Sequence, residues 1–335
     1  MTVESIVEAV RASPSALPVG GRTKPGMLLV DAETIACGGL TGIIEYEPSE
    51  YTFTAYAGTS LLEIEAALRE HGQYLPFEPP LVDAGATLGG MIASGLNGPG
   101  TFRFGGIRDF ILGVRFLTRD GRLLRTGGKV VKNAAGFDVS KFLVGSQGQW
   151  GTIVEATFKV FPQPPRSQSV RIAFASIEEA VSQVCQWTRK PWEFDAIEIA
   201  TDPVEVTLRL RGDAVSLIDR LGRFKTACHF ESAILDDDVA DAYWKASREF
   251  TWSEPDESLV KVPTHPMKIP WLESNWSGAG KRRYGVGGHV AWVSGVTEMA
   301  PPFVVVRGDL DSAWPELPQM SEELGAAFGK VRTFV

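Results

Sequence analysis

The sequence predicts an α+β protein of two domains, a glycine-rich one over residues 1–165 and an α+β one built on an antiparallel sheet over residues 166–335. Three observations carry this expectation. Of the 35 glycines, 24 lie before residue 165 and 11 after it. Of the nine tryptophans, only Trp150 lies in the first half. Between the halves stands Phe161-Pro-Gln-Pro-Pro165-Arg, a stiff connection of the kind found at domain boundaries. A length of 335 residues suits two or three domains. The glycine-rich half is where main chain is expected to approach a ligand closely, and the other half reads as conventionally packed.

The elements follow in order. Val3, Ile6, Val7 and Val10 fall at helical spacing and predict a short amphipathic helix. Pro18-Val-Gly20-Gly21-Arg-Thr-Lys-Pro25-Gly26 reads as a turn. Gly42–Glu47 and Tyr51–Tyr56 alternate like strands. Ser60-Leu-Leu-Glu63 is a capping box, and Ile64, Ala67 and Leu68 continue its apolar face. With Gly72 as the C′ residue, they predict a helix over about 60–71. Residues 85–113 hold nine glycines, too many for a helix interior. Val114-Arg-Phe-Leu-Thr reads as a strand before the turn at Arg119–Arg122. Asp138 is expected to cap a short helix over 139–144, and Gly148–Gly151 forms a glycine loop running into a strand.

The second half alternates. Strands are expected at Val170–Phe174, Ala196–Ile199, Val204–Leu210 and His229–Leu235. Helices are expected at Ile177–Thr188, Ala214–Phe224 and Val239–Phe250. Such mixing predicts an α+β unit with one antiparallel sheet.

Composition narrows the function classes. The chain is 44% apolar and 22% charged, with a net charge of -8, which argues against a nucleic-acid surface. Cys37, Cys185 and Cys228 are far apart with no CxxC pair, so no zinc or iron–sulfur site and no other metal site is expected. No run approaches the roughly 18 apolar residues of a membrane helix, and the first residues lack a basic signal-peptide region. The expected location is cytoplasmic, with membrane attachment only through a partner.

The chemistry-bearing signal is an anion cradle. Two adjacent glycines at 20–21 let successive N–H groups face one concavity, a nest for an anionic oxygen. Lys24 or Arg22 adds charge and Thr23 a hydroxyl; the competing reading is an ordinary Gly-Gly turn. A P-loop needs GxxxxGK[ST], which is absent. The glycine pairs Gly98/Gly100, Gly278/Gly280 and Gly285/Gly287 all lack the third glycine of GxGxxG. A dinucleotide bound here is therefore not held by the commonest fold for it. The segments at 85–113 and 148–151 supply two further stretches for close approach to a flat ring, with Ala93 and Ser94 small enough to help.

These residues stand in a recognisable order. The Gly-Gly-x-Thr-Lys loop precedes Leu75-Pro-Phe-Glu-Pro-Pro80, then Ala86-Thr-Leu-Gly-Gly-Met-Ile-Ala93, Gly98-Pro99 and Arg108–Gly113. Gly127–Asp138, with Lys132-Asn-Ala-Ala-Gly-Phe-Asp138, and Gly148-x-x-Gly-Thr-Ile153 complete it. Over residues 18–162 the chain resembles the flavoproteins with a PCMH-type (vanillyl-alcohol oxidase type) FAD-binding domain. Within them it is similar to the FAD-binding subunits of glycolate oxidases. After residue 166 only Trp276–Tyr284 is similar. The resemblance implies a PCMH-type domain of two α/β subdomains followed by a smaller α+β cap domain.

The resemblance also implies roles. Val19, Gly20, Gly21, Arg22, Thr23 and Lys24 would bind the FAD pyrophosphate. Pro79, Thr87, Gly89, Gly90, Ala93 and Ser94 would line the ribityl chain and ring. Gly148, Gly151 and Ile153 would close over the isoalloxazine and the adenosine side. The FAD is expected to be non-covalent, because no His or Cys lies in these segments; Cys37 and His71 lie outside them. The chain departs from the family at Gln149-Trp150, where Trp150 is expected to alter packing near the flavin. It departs again at Gly100-Thr-Phe-Arg103, which leaves a single arginine.

The implied activity is oxidation of a 2-hydroxy acid such as glycolate or D-lactate. The implied partners are a larger homologous FAD subunit and an iron–sulfur subunit. The alternative is a non-catalytic FAD-binding or scaffold subunit supporting a homologous catalytic partner. Oxidation needs a base, and usually an arginine for the carboxylate. Of His71, His229, His265 and His289 none marks an acid–base constellation, and Lys281-Arg-Arg-Tyr284 reads either as a carboxylate holder or as a solvated basic turn.

Overall fold

The computed structural model describes residues 1–28, 33–128, 138–276, 280–296 and 303–308. Its main-chain contacts divide the chain into two units. One comprises Met1–Asn97 and Gly106–Gln163; the other takes Gly98–Gly105 with the described residues from Pro164 on. Residues 98–105 thus join the second unit, although the sequence sets them in the first half. Arg103 explains this: Nη1 donates to the Glu193 carbonyl at 2.5 Å and Nε lies 3.4 Å from the buried Asp195 carboxylate.

The first unit holds a five-stranded antiparallel sheet in the order Ile43–Glu47, Thr52–Tyr56, Thr152–Lys159, Ile111–Leu117, Leu123–Gly127. Alternation along Thr52–Tyr56 puts Phe53 and Ala55 into the interior, and Phe53 stacks on Phe158 at 5.9 Å. The Leu61–Glu70 helix starts at Ser60, whose Oγ accepts from the Glu63 N–H at 3.1 Å. It buries Leu61, Ile64 and Leu68 and ends before Gly72, whose φ of 63° is left-handed. The Val3–Ala12 helix buries Ile6 and Val10 as its spacing predicts. Asp138 caps the short helix Val139–Phe142 by accepting from Lys141 N–H at 3.1 Å.

Two expectations change here. Residues 85–113 are not free of helix: they contain the short helices Leu88–Ser94, Thr101–Phe104 and Ile107–Phe110. In the first, Gly89 and Gly90 sit in the opening turn, where external acceptors compensate for weak propensity. Leu88 N–H donates to Thr59 at 2.9 Å, Gly89 N–H to Ala57 at 2.7 Å, and Gly90 N–H to the Thr87 Oγ1 at 3.3 Å. Second, Leu17–Val19 is a strand rather than part of a turn, paired in parallel with Thr34–Ala36. The segment Lys132–Gly136 and its neighbours through Phe137 lie outside the described residues.

The second unit carries an eight-stranded antiparallel sheet, in the order Ser232–Ile234, Arg166–Ala173, Val204–Gly212, Ala196–Thr201, Arg282–Gly285, Val290–Ser294, Leu259–Pro263, Val304–Arg307. One face is apolar: Val170, Ile172, Ile197, Ile199, Val206 and Leu208 pack with Val181 and Val184 of the helix Ile177–Trp187 and Phe224 of the helix Ala214–Ala227. The other face is polar. There Glu198 is almost fully buried and accepts from Tyr243 Oη at 2.8 Å, from Arg283 Nη1 at 3.0 Å and from Ser247 Oγ. Those bonds tie the helix Asp237–Glu249 to the sheet. The strand expected at His229–Leu235 shrinks to Ser232–Ile234.

Candidate cofactor site

Three segments of the first unit converge because glycine lets their main chains nearly touch. A Cβ on Gly20 would stand 2.3 Å from Thr87 Oγ1, and one on Gly21 would stand 2.2 Å from the Gly85 carbonyl oxygen. A Cβ on Gly148 would stand 2.8 Å from Pro18 Cγ. The loop after the Leu17–Val19 strand, the start of the Leu88–Ser94 helix and the 145–151 loop are thereby locked together. Gly145 N–H donates to Ile92 at 2.9 Å and Gln147 N–H to Ala93 at 2.8 Å, which straps the third segment to the second.

The curl of the first loop is not made by its glycines. The left-handed residue is Arg22, with φ of 51°, whereas neither Gly20 nor Gly21 has a positive φ. The glycines serve the close approach, and Arg22 turns the chain. Among the described residues, the main-chain N–H groups of Gly20, Gly21, Arg22 and Thr23 donate to no other group. Four consecutive uncommitted amides in a curved run are the composition of an anion nest. The opening amides of the Leu88–Ser94 helix, by contrast, are all taken up internally. Charge stands beside the run: Lys24 is buried with Nζ donating to Thr23 Oγ1 at 3.1 Å, and Arg22 is fixed by a bond from Nη2 to Thr34 Oγ1 at 3.2 Å.

Two adjoining hollows open here, both with Val19, Gly20, Thr87, Gly90 and Ala93 in their walls. The larger adds Gly21, Arg22, Thr23, Lys24 and Ser94. The smaller adds Gly89, Gly148, Gly151 and Ile153. Of the fifteen residues assigned to the cofactor in the sequence only Pro79, which is buried, lines neither. The donor set fits a dinucleotide: amides and cations for a pyrophosphate in one hollow, glycine and small apolar side chains for a flat ring in the other.

Sequence reasoning missed Cys37, Ala57 and Gln147. Cys37 follows the parallel strand Thr34–Ala36, and that pairing carries it into the wall of the smaller hollow. Its Sγ–H donates to the Ile35 carbonyl at 3.5 Å, and burial pushes the thiol up to about 11. It is a protonated thiol at neutral pH, not a nucleophile. Gln147 has φ of 52°, a left-handed conformation that nothing in its side chain announces. Trp150 stacks at a tilt on Phe142 at 5.7 Å and lines neither hollow.

The remaining candidates are engaged elsewhere. Lys281 pairs with Glu254 at 3.1 Å, Arg282 with Glu273 at 2.9 Å, and Arg283 with Glu198 at 3.0 Å. Each cation of the Lys281–Arg283 run thus has a carboxylate already; residues 277–279 of that stretch lie outside the described residues. His71 ends the Leu61–Glu70 helix and meets the Tyr46 ring edge-on at 5.2 Å. His265 and His289 meet edge-on at 5.7 Å. Among the described residues no histidine is hydrogen-bonded to a carboxylate. No helix among them is long and apolar enough to cross a membrane.

Residues 2–127 match the family described as FAD binding domain. Glycolate oxidase subunit GlcE of Escherichia coli K12 is 47% identical over 150 residues, 45% of this chain and 43% of that protein. D-lactate dehydrogenase of Archaeoglobus fulgidus is 35% identical over 134 residues, 40% of this chain and 30% of that protein. Glycolate oxidase subunit GlcD of Bacillus subtilis is 28% identical over 192 residues, 55% of this chain and 41% of that protein. The matched stretch spans less than half the length of each of these relatives. Among solved structures, alkyldihydroxyacetonephosphate synthase superposes with a TM-score of 0.64 at 17% identity, covering 90% of this chain and 69% of that one. That likeness concerns the fold.

Proposed function

We propose, from the match of residues 2–127 to the FAD binding domain family, that this chain is the FAD-bearing subunit of a complex that oxidises 2-hydroxy acids of the glycolate or D-lactate kind. The observation that carries the reading is the run of four uncommitted amides at Gly20–Thr23, set between Lys24 and the glycine contacts to Gly85 and Thr87. Bound FAD supplies a two-electron acceptor for the hydride of the hydroxyl-bearing carbon.

This chain's residues have distinct tasks in that reading. The amides of Gly20 to Thr23, with Lys24 and Arg22, hold the pyrophosphate by charge-assisted hydrogen bonds. Thr87, Gly89, Gly90, Ala93 and Ser94 line the ribityl chain and ring, and Gly148, Gly151 and Ile153 close the ring's far side. The FAD is held without a covalent bond, because the Cys37 thiol stays protonated.

The partners in this reading are a larger homologous FAD subunit and an iron–sulfur subunit, in the cytoplasm, with any membrane attachment supplied by them. A second reading, a non-catalytic FAD-binding or scaffold subunit, is favoured by one observation. The Lys281–Arg283 cations are all paired, and no His–carboxylate couple exists among the described residues. The visible spectrum of the purified chain, with glycolate or D-lactate added under anaerobic conditions, separates the two. Bleaching near the flavin maximum supports turnover by this chain; a yellow protein that never bleaches supports the second reading.

A further inference from the structure

Strained main chain gathers at the larger hollow. Eight non-glycine residues among those described take a positive φ, and two of them, Arg22 and Gln147, line that hollow. Such a conformation crowds the Cβ of an L-residue; it persists only where the surroundings impose it, and it clusters at binding and active sites. Gln147 stands in a loop whose other left-handed positions are glycine: Gly145 has φ of 83° and Gly148 of 77°. A glycine at 147 would remove the strain, yet the chain carries a long polar side chain there. The Gln147 main-chain N–H is spent on the Ala93 carbonyl at 2.8 Å, and Ala93 is itself in the wall of the hollow. The side chain is half-buried, and among the described residues its carboxamide makes no hydrogen bond.

From this placement we infer that Gln147 is a further cofactor-binding residue, its carboxamide N–H donating to the phosphate-bearing end of FAD. The inference rests on the FAD reading above. The same hollow is lined by Gly20, Gly21, Arg22, Thr23 and Lys24, the residues whose amides and cations face a pyrophosphate in that reading. A glutamine adds two N–H donors on an uncharged side chain. It therefore takes a share of the phosphate oxygens without repelling the two cations beside them. The left-handed turn and the bond to Ala93 hold the Gln147 main chain against the Leu88–Ser94 helix, which leaves the side chain as its free part at the hollow. The strain at 147 goes with the donor it places there.

The test uses the full chain freed of flavin, with FAD affinity read by titration and stability by a thermal melt without FAD. Two variants remove the carboxamide. Gln147→Leu keeps a side chain of similar size and the left-handed strain, whereas Gln147→Gly removes the strain as well. Both are expected to bind FAD about tenfold more weakly, the effect of one hydrogen bond to a charged group. The melting temperature is expected to be unchanged in Gln147→Leu and equal or higher in Gln147→Gly, so in the glycine variant stability and affinity part company. Unchanged FAD affinity in a folded variant overturns the inference. So does a loss of affinity that tracks a lowered melting temperature in both variants, which marks a structural role. Either variant carries the comparison if the other fails to fold. An unaltered chain that takes up no FAD overturns the FAD reading and this inference with it, whereas a failure confined to the variants leaves that reading standing.

Discussion

Gly21 and Gly85 pass so close that a Cβ on Gly21 would lie 2.2 Å from the Gly85 carbonyl oxygen. That contact is backbone on backbone, so no rotamer change relieves it. It sets the loop of uncommitted amides against the start of the helix that walls the hollow.

Gly21→Val is therefore expected to displace the amide run and abolish flavin retention. Overpacking of this kind also destabilises a fold by about 1–3 kcal/mol. Flavin absorbance per protein and a thermal melt check the two effects separately. The control is Gly222→Ala, in the exposed middle of the helix Ala214–Ala227, where a new Cβ meets nothing within 4 Å. It is expected to stabilise by about 0.5–1 kcal/mol through helix propensity and leave flavin content unchanged.

The buried Cys37 thiol makes stability depend on alkaline pH. Its folded value is raised from 9.0 to about 11 by burial, so the unfolded chain loses this proton first. The stabilisation is full below pH 9.0 and is lost as pH rises toward about 11, amounting to roughly 2–3 kcal/mol. Tyr243 and Tyr284, whose hydroxyls are also raised by burial, add to the loss from about pH 10. Denaturant titrations across this range are expected to show that Cys37→Ala removes the part that begins near pH 9. An unchanged slope there would place the thiol outside the buried wall.

Two ion pairs of the second unit should differ in what their loss costs. Glu198, buried and bonded by Tyr243, Ser247 and Arg283, holds a desolvated cation. Glu198→Gln is expected to destabilise by about 3 kcal/mol, because Arg283 is left uncompensated. Glu254, whose pair with Lys281 is more than half exposed, is expected to cost at most about 1 kcal/mol when changed to Gln. Urea midpoints of the two variants measure the difference.

Ser60→Ala removes the side-chain acceptor for Glu63 N–H. The loss is expected to be about 1 kcal/mol, typical of an N-cap, with no change in flavin content. A melt shifted by several degrees with the spectrum intact would agree.

What the sequence made legible was local. Ser60 and Asp138 each announce a helix by a cap that the chain then uses, accepting from the N–H of Glu63 and of Lys141. The order of the glycine segments pointed to the hollows, and all the residues assigned to the cofactor except Pro79 line them, whereas Trp150 does not. What stayed hidden depends on distant partners. The Leu88–Ser94 helix opens on two glycines and is held by Ala57 and Thr59, so propensity alone misreads it. Cys37 reaches the hollow only through the parallel pairing of two three-residue strands. Arg103 commits its segment to the second unit through Glu193 and Asp195, a link no local pattern reveals.

The most direct test of the account is an equilibrium titration of FAD into the flavin-free full chain, run beside Gly21→Val. Saturable binding of one FAD per chain that the variant loses, while its far-UV circular dichroism stays native, is the predicted result. A chain that takes up no FAD, or a folded Gly21→Val chain that binds it as tightly as the unaltered one, would contradict the assignment of the Gly20–Thr23 amides as the pyrophosphate cradle.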